Sequence, residues 1–250
     1  MRFEFLKIGK WMRPICNGIV VFIGSFFVLS VVWVLVYKWV NPPVSNLMLL
    51  RSLTSKEASS LYNLRHTWAP FDAISPHIIH AALLGEDLEF YTHKGVNFSL
   101  LKYALVQDLK GETVASSTIT QQTAKNLFLY PKKTYFRKAL EVYFSFLMEG
   151  MWGKNRILEV YLNIIELGKG CYGISKGAEV FFSKTPQDIC FDEACLMIGA
   201  LPNPRKMDIS HPSNALIYRA SHLYNLGYRQ ACYVKYPSLN SGRRTCFPVL

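Results

Sequence analysis

Hydrophobic positions follow two regimes along the chain. From Pro14 to Tyr37, PICNGIVVFIGSFFVLSVVWVLVY, no side chain is charged. A run of about 24 residues rises roughly 36 Å as a helix, enough for a bilayer core of about 30 Å. Asn41-Pro42-Pro43 breaks that helix. Beyond it, apolar residues recur at helical spacing between polar ones. Ser75-Pro76 reads as N-cap and first-turn proline of a helix carrying Ile78, Ile79, Ala82 and Leu83. Ser117 or Thr118 caps the next, with Thr118-x-x-Gln121 at capping-box spacing. A third starts near Phe136 and places Leu140, Tyr143, Phe144, Leu147 and Met151 on one face. Gly153 interrupts it. A fourth, from Lys154 to Ile165, buries Ile157, Leu158, Tyr161, Leu162 and Ile165. Two more are expected over Asp192 to Ala200 and Ser213 to Leu226, separated by the rigid Pro202-Asn203-Pro204. Strand-like alternation is scarce and no internal repeat is present, so the pattern predicts a mostly α domain. Tyr236 onward reads as a loose tail.

The uncharged run reads as a membrane anchor. Trp11, Trp33, Tyr37 and Trp39 lie near its ends, where interfacial aromatics belong. Arg2, Lys7, Lys10 and Arg13 precede it, which by the positive-inside rule puts the N-terminus in the cytoplasm and the rest of the chain outside. A cleaved signal peptide is the alternative, but its apolar core spans only about 7–15 residues and ends at a small-residue site. Trp39-Val40-Asn41-Pro42 offers none.

Composition sharpens this picture. The 250 residues are 50% hydrophobic, enough for one sizeable core besides the anchor, and carry a formal charge of +11. Such an excess suits a phosphate-bearing partner, anionic lipid or nucleic acid. An external location demotes nucleic acid and permits disulfides. Cys171, Cys190, Cys195, Cys232 and Cys246 are odd in number outside the anchor, where Cys16 lies, so their pairing is left open. No Cys/His spacing indicates structural zinc. His77-x-x-His80 suggests no third ligand.

Two stretches carry candidate chemistry. SSTITQQTAKNLFLYPKKTYFRKALE, Ser116 to Glu141, holds no acid until its last residue. Its helix sets Gln121 with Lys125, and Gln122 with Asn126, on adjoining faces, and its N-terminus offers unsatisfied N–H groups. Lys132, Lys133, Arg137 and Lys138 follow, and together these donors suit a diphosphate. By charge alone, a solvated basic face near anionic lipid is the favoured reading. The second stretch is GEDLEFYTHKG, Gly85 to Gly95. A carboxylate at Glu86 or Asp87, pressed against apolar neighbours, has a raised pKa and serves as a general base near neutral pH. A surface acidic pair is the ordinary alternative. His93 reads as a hydrogen-bonded structural residue.

At this point the residues resemble a known family. EDLEFYTHKG is similar to the E-D-x-x-F-x-x-H-x-G signature of the peptidoglycan glycosyltransferases, or transglycosylases. SSTITQQTAKN resembles their G-x-S-T-I-T-Q-Q-x-x-K-N motif, RKALE their R-K-x-x-E motif, KNRILEVYLN their K-x-x-I-L-E-x-Y-L-N motif, and ALPNP a later one. The five occur in order from about Leu61 to Gly227, and the match is to the monofunctional membrane-anchored branch. Ser99-x-x-Lys102 lacks the S-D-N and K-T-G partners of a transpeptidase and is read as coincidence.

The resemblance implies a mostly α, lysozyme-like helical domain with a small membrane-proximal subdomain, after one transmembrane helix. The implied boundaries are 1–13 cytoplasmic, 14–37 transmembrane, 38–60 linker, 61–235 glycosyltransferase domain and 236–250 tail. It implies polymerisation of lipid II into glycan strands, with inversion and release of undecaprenyl diphosphate. The partners would be lipid II, the growing strand, membrane lipid and other cell-wall synthesis proteins, at the cytoplasmic (inner) membrane with the catalytic domain in the periplasm or extracytoplasmic space. Glu86 would be the general base. Glu141 would be the second carboxylate beside the leaving diphosphate, acting with a divalent cation, Mg or Mn, though no cofactor is obligatory. Lys125 would bind diphosphate, supported by Lys133, Arg137 and Lys138. Ser117, Thr118, Gln121, Gln122 and Asn126 would orient phosphate and sugar.

Glu159 and Asn163 share one helical face suited to bracing the cleft, while Tyr161 reads as packing. Leu100 to Leu109 corresponds to the family's mobile, membrane-touching subdomain, or to an ordinary core helix. Three residues depart from the family pattern: Asn97 for an aspartate, Lys133 for an arginine with its bidentate fork, and Ser116 for a smaller residue. Two other readings stand beside the polymerase. Two carboxylates flanking a glycan also equip a lysozyme-like hydrolase, although a neutral leaving group gives the cations little to do. An inactive membrane-bound cell-wall scaffold is the other.

Overall fold

The computed structural model describes residues 4–54, 67–110, 117–132 and 134–233. The chain divides into two units, at residues 1–40 and from Asn41 on. The first is a single helix, α1 (Glu4–Trp39), with Pro14 inside it. Its segment Pro14–Trp39 is long and apolar enough to cross a membrane. Ile15, Val20, Val21, Phe22, Val28 and Leu29 are exposed along it, as side chains meant for lipid are.

The second unit is mostly α, as the periodicity predicts. Its helices are α2 (Asn46–Thr54), α3 (Pro76–Glu86), α4 (Phe98–Leu109), α5 (Ile119–Phe128), α6 (Tyr135–Met151), α7 (Lys154–Ile164), α8 (Ile174–Phe182), α9 (Phe191–Ala200) and α10 (Asn214–Tyr233). Helix α2 lies within the 38–60 stretch read as linker and packs on α5. The core has two adjoining groups: α5 packs on α6 and α7, while α9 packs on α3 and α10. Tyr161, Leu158, Ile157 and Leu162 of α7 are fully buried beside Ile119 and Leu127 of α5. The tail from Tyr236 lies outside the described residues.

The caps form where the sequence places them. Ser75 accepts the His77 amide at the start of α3, and Pro76 fills the first position. Thr118 and Gln121 form both halves of the capping box on α5, which satisfies two otherwise unpaired N–H groups.

Helix α6 departs from expectation. Of the stripe Leu140, Tyr143, Phe144, Leu147 and Met151, only Phe144 is buried; the buried residues are Arg137, Glu141, Phe144, Ser145 and Met148. An apolar-period reading assumes that charges face water. Here a guanidinium and a carboxylate go inside together because each neutralises the other. Helix α4 also bears on an open alternative. Phe98, Leu100, Tyr103 and Val106 are exposed, which an ordinary core helix would not allow.

A small hairpin joins α7 to α8. Strands β1 (Glu166–Gly168) and β2 (Cys171–Tyr172) pair antiparallel across Lys169-Gly170. Gly173 follows with φ +75°, and a Cβ there would lie 2.6 Å from the Asn163 carbonyl oxygen. Only glycine accommodates both conditions.

Candidate active site

Helix α3 ends at Glu86, and the next residue is spent on architecture. Asp87 is buried; its Oδ2 accepts the Ile119 amide at 3.0 Å and lies 2.8 Å from His93 Nε2. It therefore ties the end of α3 to the first turn of α5. Glu86 itself is only half-buried, and its Oε2 accepts from Gln122 Nε2 at 2.7 Å. Desolvation raises the Glu86 pKa, against the opposing effects of the Gln122 hydrogen bond and of Arg219 and Lys125, while the neighbouring Asp87 raises it further. Tyr161 is wholly buried beneath, and its hydroxyl reaches Gln122 Oε1 at 3.4 Å. Burial, then the charges of Glu86 and Asp87, hold that phenol well above its ordinary pKa.

One turn along α5 from Gln122 stands Lys125. Among the described residues no hydrogen bond or ion pair occupies its ammonium. Burial is the largest influence and lowers its pKa; Glu141 and Glu86 pull the other way, and Arg137 and Lys138 add to the lowering. Both carboxylates and three cations therefore act within one electrostatic neighbourhood. Glu141 on α6 is buried with both oxygens engaged: Arg137 Nη1 donates to Oε2, and Lys138 Nζ donates to Oε1 at 2.6 Å. Lys138 Nζ also donates to Ser117 Oγ at 2.9 Å. The arrangement offers a desolvated carboxylate and a patch of cations within one electrostatic neighbourhood, with a Lys125 ammonium that has no partner among the described residues.

The remaining site candidates fall elsewhere. Thr118 donates its hydroxyl to the Gly95 carbonyl at 2.6 Å and accepts the Gln121 amide, so the hydroxyl is fully used. Gln121 is buried with its carbonyl on the Thr118 amide, and its Nε2 has no partner among the described residues. Asn126 is buried as well. The structure thus brings together Glu86, Gln122, Lys125, Ser117, Arg137, Lys138 and Glu141, and puts Thr118 and Gln121 into a helix cap. Lys133 and Ser116 lie outside the described residues. Among those described, no three His, Cys, Asp or Glu side chains come together as a metal site. His77 and His80 instead face the ring of Phe191.

Supporting residues surround this cluster, some named by the sequence (Lys154, Glu159, Asn163, Asn97) and some not (Thr120, Glu149, Arg219). Lys154 at the start of α7 donates to the His93 carbonyl and to Glu149 Oε1, both at 2.7 Å, and Thr120 donates to the same carboxylate oxygen at 2.8 Å. This links α5, α6, α7 and the loop after α3. Arg219 of α10 reaches the field of Glu86 while its Nε donates to the Gly199 carbonyl at 3.1 Å. No local signal marks Arg219, since its partner is far away in sequence. Asn163 takes the Ala69 amide at 2.8 Å and donates to the Ala69 and Glu159 carbonyls, while Glu159 accepts from Trp68 and Arg156. The pair braces the 68–69 segment. Asn97 accepts the Leu100 amide with Oδ1, starting α4, and donates to Glu89 Oε2. The capping oxygen of an aspartate is thus kept without its charge.

Comparison with known proteins gives the family. Residues 54–226 match the family model described as Transglycosylase. A biosynthetic peptidoglycan transglycosylase of Bdellovibrio bacteriovorus is 37% identical over 90% of this chain and 88% of its own. Proteins of the same name from Bacteroides thetaiotaomicron and Caulobacter vibrioides are 39% and 34% identical, covering 88% and 86% of this chain and 88% and 93% of theirs. The mostly α architecture is the lysozyme-like helical fold of such a domain. On the extent of that match and those identities, the chain belongs to the transglycosylase family.

Proposed function

We infer that the chain is a membrane-anchored peptidoglycan glycosyltransferase that joins lipid II units into glycan strands, inverting the anomeric carbon and releasing undecaprenyl diphosphate. The observation that carries this reading is Lys125, whose ammonium has no partner among the described residues and stands in the fields of both the desolvated Glu86 and the ion-paired Glu141.

In our reading the sugar 4-hydroxyl of the incoming lipid II approaches Glu86, which takes its proton as the C–O bond forms. Desolvation moves the Glu86 pKa toward the working pH, which makes proton acceptance favourable. The departing diphosphate is already a competent leaving group and needs charge stabilisation rather than an acid. Lys125 supplies it, with Lys138 and Arg137 behind. Glu141 keeps those two cations close together against their mutual repulsion, and Gln122 orients Glu86 through its amide. A divalent ion does not fit Glu141 as it stands, because each oxygen already carries a cationic partner. The exposed apolar side chains of α4 suit contact with lipid, and the basic residues ahead of the anchor orient the N-terminus to the cytoplasm. Other cell-wall synthesis proteins are natural partners for an enzyme whose product they would cross-link.

The test is polymerisation of purified lipid II in detergent by the full chain and by Lys125→Ala. The variant should fold and lose most turnover; wild-type turnover would overturn the diphosphate assignment.

A further inference from the structure

Helix α2 follows the anchor helix after only residues 40–45, yet one of its contacts reaches the end of the helix that carries Lys125. Ser45 caps it, with Oγ accepting the Met48 amide at 3.2 Å, and Met48 is fully buried. From its first turn, Asn46 Nδ2 donates to the Phe128 carbonyl at 2.8 Å, across 82 positions of sequence. At the far end, Arg51 Nε lies 3.5 Å from Glu166 Oε2, whose other oxygen is 3.8 Å from Arg205 Nε.

Phe128 is the last residue of α5, and it and Leu129 are both buried. Carbonyls in the last turn of a helix have no intrahelical partner, and a buried end needs one from elsewhere. No glycine closes this end: Leu129 is extended, and its amide returns to the carbonyl of Lys125. Lys125 and Phe128 therefore belong to one terminal turn, which Asn46 reaches from outside.

We propose that Asn46 is a positioning residue for glycosyl transfer: the hydrogen bond it makes from the juxtamembrane helix to Phe128 fixes the last turn of α5, and with it the Lys125 ammonium that receives the diphosphate. This rests on the reading of Lys125 given above. The segment that leaves the membrane then also sets the cation on which a membrane-borne diphosphate must land. Gln122, one turn earlier, is held separately through Glu86, so loss of the Asn46 contact acts on diphosphate binding more than on the base.

The experiment uses the full chain in detergent, with farnesyl diphosphate as the binding probe, lipid II as the substrate and thermal melting as a control. Asn46→Asp keeps the shape of the side chain and removes the donor. It should weaken farnesyl diphosphate binding about five- to tenfold, on the scale of one net hydrogen bond, and raise KM for lipid II with a smaller change in kcat. Asn46→Gln, which retains an amide donor, should recover part of the loss. Asn46→Ala carries the same expectation as the aspartate variant if the latter does not fold. In a Lys125→Ala background, Asn46→Asp should change probe binding no further. Unchanged probe binding and KM in the Asn46 variants, with only a lower melting temperature, would overturn the inference. Wild-type probe binding by Lys125→Ala alone would overturn the Lys125 reading instead.

Discussion

Replacing Glu86 by glutamine separates a catalytic carboxylate from a structural one through two readouts of opposite sign. Burial is the chief influence on Glu86 and raises its pKa from an ordinary 4.5. An acid raised in the folded state binds its proton more tightly there than when unfolded. Its ionisation therefore weakens the fold as pH climbs from the unfolded value through the raised one, and the deficit persists above. Glutamine cannot ionise, and its carbonyl can still accept from Gln122. Glu86→Gln should be at least as stable as the parent at neutral pH, with the difference closing in acid. Its turnover should fall about 10²- to 10⁴-fold, the range for loss of a general base. Lipid II polymerisation at saturating substrate gives the rate, and denaturant midpoints across a pH series give the stability. Turnover within a few-fold of wild type would refute the base assignment. A loss of stability at neutral pH would show the carboxylate to be a brace.

The pH–rate profile should have its acid limb above the ordinary carboxylate range, because Glu86 must be ionised, and its basic limb below 10.5, because Lys125 must stay protonated against its burial; Lys125→Arg should move the basic limb upward, and an unmoved limb would dissociate Lys125 from it. Glu141→Gln leaves Arg137, whose side chain is 10% exposed, without its counter-charge, and should cost about 3 kcal/mol by denaturant midpoint as well as activity; an unchanged midpoint would contradict the burial argument. Gly173→Ala should destabilise by about 1–3 kcal/mol, since φ +75° and a 2.6 Å approach to backbone oxygen are both hostile to a Cβ; a wild-type melting temperature would rule that strain out.

The legible parts of the fold were those with a local physical signature. Caps at Ser75 and Thr118 and the dense apolar period of α7 mark their helices without help from distant residues. Helix α2 has nine residues after a Pro-Pro break, too few for a period to stand out, and its anchors at Phe128 and Glu166 are remote. Helix α8 and the 166–172 hairpin escaped for a similar reason: three- and two-residue strands cannot display alternation. In the site, the types of residue needed were readable, but their division of labour was not. Thr118 and Gln121 stand in the same motif as Gln122 and Lys125, and their capping-box spacing competes with a ligand role; the structure shows the cap taking the Thr118 hydroxyl and the Gln121 carbonyl. The buried face of α6 misled because pairing of Arg137 with Glu141 reverses the usual rule that charge means exposure.

Asp87 couples two helices that the proposed chemistry would keep in register. With its carboxylate on the Ile119 amide and Glu86 bonded to Gln122, the proposed base and the helix that carries Lys125 are tied at two points. On the proposed mechanism, loosening that admits a fresh precursor would fall along other seams of the molecule.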